Sequence, residues 1–137
     1  ETQHDAAEPL GFLLANQDRE KLLYATDTYY IRYRFRGLTH IAVECNYSLD
    51  ILKRNVDAGT VPKELKSRIL KSHFSLEHVK QFIQANDLSE CRKIILLHLS
   101  DYNSDSARMV REIGELTGID TVVAEAGQEI ELELWPY

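Results

Sequence analysis

The run Ile94-Ile95-Leu96-Leu97 limits the folds open to this chain more than any other segment. It has no polar alternation, so as a strand it must be buried on both faces, as in a sheet covered by helices. Amphipathic segments lie on either side of it. Ser48 reads as an N-cap, with Asp50 in the first turn, Leu49, Leu52 and Val56 on one face, and Gly59 as the stop. Pro62 opens a short second helix in which Leu65 and Ile69 stand four residues apart. Ser75 opens a third, with Glu77 at the positive end of its dipole and Leu76, Val79, Phe82 and Ile83 as its apolar face. Beyond the apolar run, a helix is expected from about Ser104 to Thr117, with Val110, Ile113 and Leu116 inward and Gly118 ending it.

Earlier in the chain, Gly11-Phe12-Leu13-Leu14-Ala15 and Lys21-Leu22-Leu23-Tyr24-Ala25 flank the polar turn Asn16-Gln17-Asp18-Arg19-Glu20, which is a hairpin pattern. His40-Ile41-Ala42-Val43-Glu44 is a further strand. At the tail, Ile130, Leu132 and Leu134 alternate with Glu129, Glu131 and Glu133, as in a half-exposed antiparallel strand. Strands alternating with helices around one interior strand predict an α/β, layered α+β architecture. No repeat, low-complexity tract or Pro/Gly linker divides the 137 residues, so they read as one domain or a large part of one.

Composition excludes several classes. The chain is 44% hydrophobic and 28% charged, which is globular rather than disordered. Its 16 basic and 22 acidic side chains give a net charge of −6, so bulk charge does not suggest a nucleic-acid coat protein. No apolar run approaches the roughly 20 residues that span a bilayer, and no secretory segment opens the chain. Cys45 and Cys91 form no C-x-x-C pair and read as small core residues of a reduced, cytoplasmic protein. Glu1 is the first residue and Met109 the only methionine, so an upstream portion is expected.

The polar groups fall at the junctions of these elements. His4, Asp27 and His98 sit where strand-like segments end, and Glu44 and His73 lie at similar junctions. His98 follows the most buried strand, the position at which open α/β sheets bind ligands. A carboxylate such as Asp27 can bridge two cations while neutral imidazoles complete their shells. Alone, Asp27 reads first as a turn residue, and His98 could be a satisfied strand-end histidine; together they point to ligation. His40 reads as a strand-edge residue and His78 as part of a helix surface or first turn.

Five short motifs occur in order: His4-Asp5-Ala6-Ala7-Glu8-Pro9, Ala25-Thr26-Asp27-Thr28, Val43-Glu44-Cys45-Asn46, Ser72-His73-Phe74-Ser75 and His98-Leu99-Ser100. The series resembles the C-terminal half of metallo-β-lactamase-fold hydrolases. It is most similar to the small bacterial YycJ-like subgroup, related to the transfer-RNA 3′-processing nuclease ribonuclease Z. The resemblance covers nearly the whole chain and implies half of an αββα sandwich that holds two divalent metals, zinc or manganese. It implies that His4, Asp27 and His98 are metal ligands, with Asp27 bridging both ions. It also implies that Glu44 and His73 assist proton transfer during phosphodiester hydrolysis, although Ser75 equally suits a plain helix-cap role for the His73 loop.

The sequence departs from that family at its signature. H-x-H-x-D-H, which supplies most ligands of both metals, is absent from the chain. The expectation is therefore a C-terminal half-domain, broken in a loop before His4, whose sheet face would be covered by a companion N-terminal chain carrying that motif; self-association into a homo-oligomer is also open. Arg32, Arg34 and Arg36 alternate with Tyr33 and Phe35, after Tyr29 and Tyr30, which suits contact with nucleic-acid phosphates and bases as well as it suits a solvated amphipathic segment. Ser100 joins the arginines as a candidate substrate contact. Two functions follow: a dinuclear nuclease or phosphodiesterase half, inactive by itself, or a non-catalytic interaction module that has lost its metal motif. A lactonase or thioesterase is disfavoured, because a Glu–His pair suits protonation of a poor alkoxide leaving group.

Overall fold

In the computed structural model, which describes residues 11–132, the first hairpin is set by Asn16. Its Oδ1 accepts hydrogen bonds from the backbone N–H groups of Asp18 (3.0 Å) and Glu20 (2.9 Å). Arg19 takes a left-handed φ of 67° within this turn. The turn joins β1 (Gly11–Ala15) to β2 (Lys21–Ala25), antiparallel with Leu13 opposite Leu23. β3 (His40–Glu44), β4 (Lys93–Leu97) and β5 (Asp120–Val123) then add in parallel, giving a sheet in the order β1-β2-β3-β4-β5. The fold is mixed α/β, as the alternation of elements predicts. β4 is the apolar run, and its three central residues are buried.

Three helices cross from β3 to β4: α1 (Leu49–Asp57), α2 (Lys63–Ser72) and α3 (Leu76–Gln84). α4 (Ser106–Thr117) crosses from β4 to β5. α3 is capped as expected, its Ser75 hydroxyl accepting from the His78 N–H at 3.1 Å, and all four predicted apolar residues are buried. Ser48 occupies the N-cap position of α1 but makes no side-chain cap bond. The Glu77 carboxylate of α3 takes over part of that task, accepting from the Leu49 N–H at 3.2 Å. Gly118 ends α4 with a left-handed φ of 68°.

The register divides the sheet into two faces. Leu23, Ala25, Ile41, Val43, Ile94 and Leu96 form one core with Val79, Phe82, Met109 and Ile113 of α3 and α4. A smaller core of Tyr47, Leu52, Val61 and Ile69 seats α1 and α2. On the other face, Phe12, Leu14 and Tyr24 are exposed. Both cysteines are free and buried, and burial pushes both thiols up, Cys91 to about 11, so they are inert core residues. Among the described residues no helix is long and apolar enough to cross a membrane.

Several expectations are corrected. α4 starts at Ser106 with Asp105 as its cap, because the Asp105 carboxylate accepts from the Arg108 N–H at 3.0 Å. Met109 takes the inward place predicted for Leu116, which is exposed; Leu49 and Leu65 are exposed too. β5 went unpredicted. Residues 129–132 form no strand, since no edge of the sheet pairs with them; Leu132 instead lines a hollow with Leu14, Leu22 and His40. His40 lies in an interior strand and is buried rather than edge-placed. The Arg/Tyr segment, which the sequence left open as strand or loop, is a loop between β2 and β3. His4, Glu133 and Leu134 lie outside the described residues.

Candidate metal centre

The parallel strands deliver their carboxyl ends to one edge, and the polar groups collect there. Asp27 stands two residues past β2, Glu44 ends β3, His98 directly follows β4, and His73 caps the C-terminus of α2. Each of these four offers a ligand atom, and those atoms all lie within 4.8 Å of one another. Glu44 is the pivot. Its side chain is fully buried, with Oε1 at 2.6 Å from His73 Nδ1 and 3.0 Å from His98 Nδ1, while Oε2 accepts from the Thr28 N–H at 3.1 Å. A buried carboxylate is tolerated only with such donors around it. His98 Nδ1 also stands 3.3 Å from Asp27 Oδ1, and the two imidazoles meet edge to face at 5.2 Å.

Two backbone details hold this arrangement. Asp27 and His98 have left-handed φ values of 50° and 55°, a conformation that costs a non-glycine residue about 1–2 kcal/mol. Asp and His tolerate it better than most, and such positions concentrate where a site needs a side chain turned from the strand direction. Asn46 fixes the second of them. Its amide donates to the His98 carbonyl at 2.7 Å, and its own carbonyl accepts from the Ser100 N–H at 2.8 Å.

The donor set suits a divalent cation. Ligands bonded to one ion at 2.0–2.2 Å lie about 3.3–4.4 Å apart. The four donor atoms lie within 4.8 Å of one another, a few tenths of an ångström beyond the long end of that range. The 3.3 Å between His98 Nδ1 and Asp27 Oδ1 is a contact of the nitrogen that also faces Glu44, not a ligand spacing. Two imidazoles and two carboxylates accommodate zinc, manganese or iron alike. With Nδ1 of His73 directed at Glu44, Nε2 is the ring nitrogen left for an ion or a substrate, an arrangement by which carboxylates orient metal-binding histidines.

The other predicted residues divide. Arg32 and Arg34 line a cleft beside α3, whereas Arg36 does not; the Arg36 carbonyl accepts from Lys21 Nζ at 3.1 Å. The Ser100 hydroxyl is engaged in its own turn, accepting from the Asn103 N–H at 3.2 Å. His78 sits in the first turn of α3. Sequence reasoning gave no role to Thr28 or Asn46, the residues that satisfy Glu44 and hold His98. Both fall inside the quoted motifs, which was the only signal available. No model of a known protein family matches this chain, and no curated protein sequence matches it either.

Proposed function

We propose that this chain is the C-terminal half of a dinuclear metallohydrolase that cleaves phosphodiester bonds in nucleic acid, and that it works with a companion segment bearing the remaining metal ligands. The observation that carries the proposal is the convergence of Asp27, Glu44, His73 and His98 within 4.8 Å at the carboxyl edge of the sheet. That convergence suits the order of motifs shared with ribonuclease Z-related enzymes.

In this reading Asp27 and His98 hold the ions, with His4 as a further ligand, and zinc or manganese are the ions favoured. Bound ions would supply an activated water and neutralise phosphoryl charge. Glu44 positions two imidazoles through one oxygen, His73 at 2.6 Å and His98 at 3.0 Å. As an imidazolium, His73 has a second N–H, at Nε2, to give to the leaving oxygen while Glu44 keeps the ring aligned. Thr28 prevents the carboxylate from rotating away. Arg32 and Arg34 favour a polyanionic substrate.

The companion is favoured by the exposed outward side of the edge hairpin. Phe12 and Leu14 are 52% and 55% exposed on adjacent outward positions of an edge strand, which a soluble chain ordinarily covers. The test is to isolate the full chain with whatever polypeptide accompanies it, and to measure metal content and manganese-dependent cleavage of a labelled oligonucleotide. A two-chain complex that carries bound metal and cleaves the strand, and loses cleavage in His73→Ala while keeping its metal, is the expected result. A complex that binds metal and leaves every phosphodiester intact would leave this chain an interaction module.

A further inference from the structure

The loop after Asp27 builds a second feature beside the cluster. Ile31 and Phe35 turn inward and pack on the core, Phe35 edge-on to Phe82 at 6.4 Å. Asn86 pins the loop from the far side: its Oδ1 accepts from the Phe35 N–H at 2.6 Å, and its amide donates to the Phe82 carbonyl at 2.7 Å. With both anchors inward, Arg32, Tyr33 and Arg34 are presented to solvent. Between the loop and α3 lies a cleft of about 260 Å³, to which the loop contributes Tyr30, Arg32, Tyr33 and Arg34, and α3 contributes His78 and Gln81.

Its chemistry runs against that of the whole molecule. The chain has 22 acidic side chains and a net charge of −6, yet among the described residues no Asp or Glu lines this cleft. Arg32 and Arg34 have no carboxylate partner among the described residues, and neither does the Gln81 amide have a hydrogen-bond partner there. Tyr30 and Tyr33 are about half exposed. Unpaired guanidinium groups beside open aromatic rings and a free amide match the parts of one ligand class: phosphate for the arginines, a flat base for the rings, a base edge for the amide. The volume sits just below the roughly 300–1,000 Å³ of ordinary small-molecule pockets, so it admits one such unit and not a folded ligand.

Position links the cleft to the cluster. Tyr30 is three residues from Asp27, a reach of at most about 11 Å. Phe74, which also lines the cleft, is the neighbour of His73.

We infer that this cleft is a nucleotide subsite, which takes one base and its phosphate from the strand whose scissile bond meets the Asp27–His98 cluster. The inference deepens the nuclease reading and rests on it for the ligand being part of a strand. Tyr30 and Tyr33 stack on the base, and Arg32 and Arg34 hold the phosphate.

The experiment is fluorescence anisotropy of the full chain with a short labelled oligodeoxyadenylate and with an abasic strand of the same length, both in EDTA so that no metal contributes. The base-bearing strand is expected to bind about tenfold more tightly than the abasic one. Tyr33→Ala should remove about that factor, and Tyr33→Phe should restore it. Arg32→Ala combined with Arg34→Ala should weaken both strands about tenfold or more and flatten the salt dependence. All four side chains are exposed at the surface, and far-ultraviolet circular dichroism checks that the variants fold. Equal affinity for the two strands, or variants that bind like the parent, overturns the subsite. Manganese uptake measured on the same proteins separates the two ideas: uptake that persists while strand binding is unaffected by these substitutions defeats the subsite alone. Absent uptake with strand binding that follows the substitutions defeats the metal site and leaves the subsite standing.

Discussion

The two faces of the sheet use the same strands differently. Toward α3 and α4, Leu23, Ile41, Ile94 and Leu96 are almost wholly buried and interlock with Met109 and Ile113. On the opposite face, Phe12, Leu14 and Tyr24 of the edge hairpin are exposed, whereas Ala42 and Ile95 of the interior strands are buried. The candidate site lies on the border, at the carboxyl edge. Glu44 shares its face with Phe12 and Tyr24 by register, yet it is fully enclosed by donors. Covering by helices makes one face rigid enough to place strand ends accurately, and the polar cluster uses that accuracy. On the other face the exposure is confined to the edge hairpin: Ala42 and Ile95, which continue the row of Phe12 and Tyr24, are buried.

Mutation at the two faces gives the widest contrast. Leu96→Ala removes a fully buried side chain and should cost about 2–5 kcal/mol in urea unfolding. At the border, Asp27→Gly should abolish metal uptake while leaving stability unchanged or higher by up to about 1 kcal/mol, because glycine adopts the left-handed φ of 50° without penalty. A loss of stability above that size would mean that Asp27 supports the fold rather than a ligand. Phe12→Ser with Leu14→Ser should change stability by no more than about 0.5 kcal/mol, the range for exposed positions. A cost near that of Leu96→Ala would break the comparison, since some segment of this chain would then be covering the second face.

The smallest effect concerns His40. Burial pushes its imidazole below the ordinary value of 6.5, and the nearby Glu20 only partly opposes this. The folded state therefore favours the neutral ring. As the pH falls below about 6.5 the unfolded chain takes up a proton that the folded chain does not, so stability declines from there downward. Urea midpoints at several pH values should show this slope in the parent and a shallower one in His40→Gln.

Periodicity made most of the fold legible. The hairpin, β3, β4 and the three helices between them each carry an unbroken apolar rhythm or a cap residue that local physics can read. β5 escaped because Asp120-Thr121-Val122-Val123 is short and does not alternate, so only its neighbour β4 makes it a strand. The tail failed for the converse reason: its alternation is regular, but a strand needs a ladder and the sheet offers residues 129–132 none. In α4, Leu116 has the right spacing, yet the helix rotates to bury Met109 and Ile113. At the site, residue types at strand ends were visible in the sequence. The left-handed turns at Asp27 and His98, the shared oxygen of Glu44 and the Asn46 clamp depend on three strands meeting at one edge, and no local pattern encodes them.

Zinc titration of the full chain and of Asp27→Ala by calorimetry would decide whether the cluster is a metal centre. Saturable uptake by the parent that disappears in Asp27→Ala, with both proteins equally folded, is the predicted result. Uptake that is absent from the parent, or equal in the two, would contradict it and reduce Asp27, Glu44, His73 and His98 to a hydrogen-bonded strand edge.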